Sequence, residues 1–118
     1  MTGKQVDAEQ LTLELHDQRI LVDEVREEAG RLIVPGFIQQ GRERFRFHLA
    51  FSDVRRWEIR DEAGVGTLPI YEFVYDSGAF EIPGNIPVSM TVETPLPYGV
   101  LEVDGAPFEV HPWFRPWR

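Results

Sequence analysis

The sequence predicts an all-β domain, a single antiparallel sandwich or open barrel of about eight or nine strands with at most one short N-terminal helix. Three observations carry this prediction. Over residues 44–51, Phe45, Phe47, Leu49 and Phe51 alternate with Arg44, Arg46, His48 and Ala50, the two-residue period of a pleated strand. Turn signals such as Ala29-Gly30, Ser52-Asp53, Asp76-Ser77-Gly78 and Pro83-Gly84-Asn85 separate short apolar runs, as they do between antiparallel strands. Alternating βα units are absent, which excludes a parallel sheet and the phosphate sites that open its crossover helices.

In chain order, residues 7–15 are the one helix candidate, because Asp7 can cap and Gln10 can reach back to complete a variant of the capping box. Leu11, Leu13 and Leu15 alternate with Thr12 and Glu14, which favours a helical or irregular turn over 7–10 followed by a strand. Residues 20–27 read as a strand, Ala29-Gly30 as its turn, and 31–38 as the return strand. Pro35-Gly36 interrupts that strand, since proline cannot donate to a ladder and is expected at an edge, a bulge or a strand end. In 44–51 the phenylalanine face is a core wall and the opposite face is wet.

Residues 54–60 put Trp57 and Ile59 on one side and Arg56, Glu58 and Arg60 on the other. After a loop at 61–66, residues 68–75 read as one central strand. Leu68, Ile70 and Val74 point one way, and Tyr71, Phe73 and Tyr75 the other. Residues 79–82 and the alternating Val88, Met90 and Val92 supply further strands. Leu101 and Val103, Asp104-Gly105, then Phe108 and Val110 form a closing hairpin, with Pro107 demoting its second arm to an edge. All of this makes one domain, with residues 1–10 expected to be disordered and 111–118 an aromatic tail.

Composition narrows the function classes. The chain has 118 residues, of which 12 are Lys or Arg and 20 are Asp or Glu, so its net charge is −8. That charge repels phosphate backbones and anionic headgroups, so neither nucleic acid nor a membrane is expected as a partner, and a basic protein is. With no cysteine, there are no disulfides, thiolate metal sites or cysteine nucleophile. The polar first ten residues lack a signal or anchor run, so a cytoplasmic location is expected.

Candidate chemistry is sparse. Gly64-Val65-Gly66 lacks the third glycine and the following helix of a dinucleotide site. Ser52, Ser77 and Ser89 sit in turns or a strand, without a nucleophile elbow. No catalytic residue, cofactor or metal is assigned. If a metal were bound, His16, Asp17 and His48 would be its ligands, but no histidine pair has a spacing that fixes two ligands on one element. Trp57, Tyr71, Tyr75, Trp113 and Trp117 are the candidate binding residues, as an aromatic platform or as core and tail packing. Trp113, Phe114 and Trp117 give the tail enough apolar surface to dock on its own sheet or across a homodimer.

Leu15-His16-Asp17, the strand at 20–27, a glycine turn and a second apolar strand at 32–34 resemble a group of small bacterial β-rich proteins that open in this way. The segment from Phe51 through Arg55-Arg56-Trp57 is similar to their next, aromatic-bearing strand. The likeness spans about the first half, residues 11–60. Some of that group are immunity proteins of polymorphic toxin systems, so the resemblance implies a non-enzymatic protein-binding domain that covers a basic toxin. An acidic surface would speed that encounter. Two alternatives stay open: a small-molecule or metal-binding β-barrel enzyme using His16, Asp17 and His48, and an assembly subunit of a bacterial or phage complex whose tail docks onto a neighbour.

Overall fold

Alternation forces the chain into two stacked layers. A computed structural model describes residues 3–84 and 87–107, the last two by backbone alone. Its described strands are β1 (Lys4–Asp7), β2 (Arg19–Leu21), β3 (Arg26–Glu28), β4 (Arg31–Gln40), β5 (Glu43–Ser52), β6 (Arg56–Asp61), β7 (Thr67–Pro69), β8 (Val74–Asp76), β9 (Ala79–Pro83), β10 (Val88–Glu93) and β11 (Tyr98–Pro107). They form two antiparallel sheets, so the predicted all-β architecture is the observed one, with more strands than expected among the described residues. One sheet runs β1-β11-β5-β4-β2-β7 with β3 also paired to β4, and the other runs β6-β10-β9-β8.

Between the layers lies one core. Phe47, Leu49 and Phe51 of β5 are fully buried, as the two-residue period requires. Across from them Phe80, Ile82, Met90 and Val92 are equally buried, and the Phe51 and Phe80 rings meet at 4.9 Å. β6 is an edge strand whose Arg56, Glu58 and Arg60 face solvent while Trp57 and Ile59 turn toward the core. Charged side chains on an exposed edge discourage pairing with a second chain. Thr94 pins one corner: its buried hydroxyl donates to the Ser52 carbonyl at 2.8 Å, and its own carbonyl accepts from the Tyr75 hydroxyl at 2.7 Å.

Several elements depart from the sequence reading, each for a physical reason. Residues 8–15 are a helix, α1 (Ala8–Leu15), and not a turn followed by a strand. Asp7 accepts from the Gln10 amide at 2.9 Å, and Leu11 and Leu15, four apart, are both buried while Leu13 is 74 % exposed. The strand expected at 20–27 is broken by a 3₁₀ turn, Val22–Glu24, between β2 and β3. β4 is uninterrupted at Pro35-Gly36, which pair with His48 and Phe47 in mid-sheet. On the other side of β4, β3 pairs only up to Ile33 and β2 begins at Gly36, so the missing proline donor falls in a gap between partners. Gly36 is there because a Cβ would collide with the Phe47 ring and the Arg19 carbonyl.

The single strand expected at 68–75 is two strands in different sheets, β7 and β8, joined by an irregular crossover. Asp104-Gly105 is no hairpin turn, because β11 continues through it with a register irregularity between Val103 and Pro107. Phe108 and Val110 lie outside the described residues. Residues 4–7, expected to be disordered, pair with β11. Finally, the face of β5 expected to be wet is half-buried at Arg44, Arg46 and His48 and closed at Ala50.

Candidate functional site

α1 ends against the crossover between the two sheets, and the join is built from backbone polarity. His16 caps the helix with its N–H on the Thr12 carbonyl, and Asp17 follows in the left-handed region at φ 68°, a conformation aspartate tolerates and helix ends use. This turn aims the Asp17 N–H at the Ile70 carbonyl, 2.9 Å, and lets the Gln18 carbonyl accept from the Ile70 N–H, 2.8 Å. Further along, the Thr12 hydroxyl accepts from the Phe73 N–H at 2.8 Å and donates to the Ala8 carbonyl at 2.9 Å. The crossover is held from its other side by the Tyr71 N–H on the Pro83 carbonyl, 3.1 Å. Outside the named strands, the amides of Ile70, Tyr71 and Phe73 thus all find acceptors.

The consequence is a fixed seam of unlike side chains. Leu13, Tyr71 and Val74 are 74 %, 50 % and 39 % exposed; Leu13 follows the residue bonded to Phe73, and Val74 follows Phe73. The His16 Nδ1 lies 2.6 Å from the Tyr71 carbonyl, so the ring donates there, and its edge meets the Tyr71 ring at 6.0 Å. Its Nε2 faces the Asp17 carboxylate at 3.4 Å. Glu9, one helical turn before Leu13, and Asp17 are exposed and Glu72 is half-buried, so the seam has an apolar centre and acidic surroundings. At the opposite side of α1, burial works against ionised Glu14, but Lys4 at 2.7 Å and the Gln10 amide outweigh it, and the carboxyl titrates below its ordinary value.

The predicted binding aromatics are dispersed. Trp57 lies on β6 and donates its indole N–H to Glu27 at 2.8 Å, which ties the smaller sheet to β3. Beside it a groove of about 410 Å³ is lined by Arg56, Glu58, Thr91 and Glu93, with Arg56 and Glu93 paired at 2.7 Å. Tyr75 packs on the core, its ring tilted against Phe80 at 4.8 Å, at the far edge of the sheet from Trp57. Tyr71 alone of the three is at the seam. Trp113 and Trp117 lie outside the described residues. His16, Asp17 and His48 do not converge either: His48 sits mid-sheet on β5 opposite Pro35 and Glu102, and among the described residues no three His, Asp or Glu side chains could hold a metal.

Leu13 and Val74 are exposed apolar residues of the seam that were not among the expected binding residues. The signal for Leu13 was the Asp7 cap with Leu11 and Leu15 four apart, which turns the intervening leucine outward. Comparisons with family models, curated proteins and solved structures give no match for this chain. Among the described residues no helix is long and apolar enough to cross a membrane.

Proposed function

We propose that this chain is a non-enzymatic protein-binding domain whose contact surface is the seam of Leu13, Tyr71 and Val74, and whose partner is basic. One observation carries the reading: three of the four large apolar side chains left exposed among the described residues lie on the segments that meet at one backbone-pinned join. Apolar groups clustered on a rigid support, with a charged rim, are what a protein interface needs. Glu9, Asp17 and Glu72, on a chain of net charge −8, favour encounter with a positively charged surface. The resemblance of residues 11–60 to immunity proteins suggests the narrower role of neutralising a basic toxin.

The test is co-expression with the product of the adjacent gene. Growth rescued by the wild-type chain and lost with Leu13→Arg, a substitution at an exposed position that leaves the melting temperature within about 2 °C, supports the reading. Absence of rescue by the wild-type chain removes the toxin-neutralising role. Rescue undiminished by both Leu13→Arg and Tyr71→Ala moves the contact surface elsewhere.

A further inference from the structure

Among the described residues, β6 is the longest strand paired on one side only: β10 runs along all of it, while the other edge strands, β1, β7 and β8, are shorter. Its residues are Arg56, Trp57, Glu58, Ile59, Arg60 and Asp61, with Glu62 next. Arg56, Glu58 and Arg60 share the outer face, with side chains 78 %, 64 % and 70 % exposed, and Trp57 and Ile59 turn inward. About Ile59 this order is its own complement. Arg56 and Glu62 stand equally far from it on either side, as do Glu58 and Arg60, and in both pairs an arginine answers a glutamate.

We infer that β6 is a self-pairing edge, which docks antiparallel on β6 of a second copy of this chain about a twofold axis at Ile59. Directly opposite side chains in an antiparallel pair lie on the same face. Centred on Ile59, the register sets Glu58 of each copy against Arg60 of the other and Arg56 against Glu62, while the two Ile59 side chains meet on the inner face. Centred one residue away, on Glu58 or on Arg60, it opposes Glu58 to itself or Arg60 to itself. A charged edge resists indiscriminate pairing, and this one resists the registers on either side of the one its order selects. Charge complementarity thus names the occupant.

The chain carries −8 and repels its copy as a whole, yet residues 55–62 hold three arginines against Glu58, Asp61 and Glu62 and are neutral. Glu58 and Arg60 are only loosely paired within the strand, at 3.8 Å, and Arg56 has donors to spare beside its 2.7 Å bond to Glu93. Just past the strand the loop is fixed, because the Asp61 carboxylate accepts from the Val65 and Gly66 amides, both at 2.8 Å. Pairing joins two four-stranded sheets into one of eight strands, and backbone groups on the outer side of β6 gain ladder partners. The seam lies on α1 and at the β8 edge of this sheet, opposite β6, and the inference does not depend on it.

Sedimentation equilibrium on the intact chain should show a reversible dimer that added salt weakens. Glu58→Arg sets arginine against Arg60 and should weaken that dimer at least about tenfold, although it takes the net charge from −8 to −6 and so reduces overall repulsion. Arg60→Glu should weaken it by a similar factor. Mixed in equal amounts, the two single variants should form a heterodimer about as tight as the intact dimer, because unlike charges face each other again. The double exchange, Glu58→Arg with Arg60→Glu, should restore the homodimer for the same reason, with circular dichroism confirming the β fold in each variant. Where Glu58→Arg does not fold, Arg60→Glu and the double exchange carry the same comparison. A chain that stays monomeric at millimolar concentration overturns the inference. So does a dimer that the single variants form as tightly as the intact chain, or one that neither mixing nor the double exchange restores.

Discussion

Residues 31–40 and 67–76 look alike in the sequence, two equally long stretches with apolar residues on both faces and a proline inside, and they do opposite things. The first carries Pro35-Gly36 and was expected to break there, yet β4 runs through without a break. The second was expected to be one central strand, yet it ends in one sheet at Pro69 and resumes in the other at Val74. What separates them is the neighbour each meets. Gly36 lets the Phe47 ring and the Arg19 carbonyl close onto β4, whereas Ile70 and Phe73 find their partners on α1 and on the Gln18 turn. Two-sided apolarity therefore marks either a strand covered on both faces or a chain changing layers, and only the tertiary partner decides between them.

The largest effect that would break this contrast comes from the β4 side. Phe47→Ala removes a fully buried ring and should cost about 3–5 kcal/mol in urea unfolding. Gly36→Ala should cost about 1–3 kcal/mol through overpacking, and less in a Phe47→Leu background, since the added methyl then has room. Additive costs in that double-mutant cycle would mean that Gly36 is not there for Phe47.

On the crossover side, Thr12→Val keeps the volume but strips the hydroxyl from the Phe73 N–H, and should lower stability by about 1 kcal/mol, with the loss confined to α1 and its join. The smallest effect is at the other flank of α1. The Glu14 carboxyl titrates lower folded than unfolded, so its contribution is present above the unfolded value and fades as the pH falls through the folded one. Because Lys4 is largely in solvent, that contribution is a few tenths of a kcal/mol. Lys4→Gln should flatten the acid side of the stability profile by that amount.

Much of the fold could be read from residue order wherever one face is apolar and the other charged. Residues 88–93 keep a strict rhythm and bury Val88, Met90 and Val92; 56–61 keep it with Trp57 and Ile59 half-buried, and 44–51 bury Phe47, Leu49 and Phe51 but also Ala50 of the opposite face. The helix was harder because Leu11, Leu13 and Leu15 satisfy period two, while Leu11 and Leu15 alone satisfy a helical turn. The burial of Ala50 was illegible for a different cause: a small residue in line with Arg44, Arg46 and His48 looks like part of a wet face. Of the candidate contact residues, Tyr71 could be named from the sequence. Leu13 follows only once the Asp7 cap and the Leu11–Leu15 spacing are read as a helix, and Val74 could not be named, since its exposure follows from where the chain changes sheets.

The seam exists only if the chain crosses between layers at residues 70–73, and residue-resolved amide hydrogen exchange tests that directly. Protection at Leu68 should survive Thr12→Val, because it belongs to the ladder with β2, while protection at Phe73 should fall in the same variant. If Phe73 and Val74 instead exchange in step with Leu68 in both proteins, residues 67–76 form one continuous strand, and the proposed contact surface is not built.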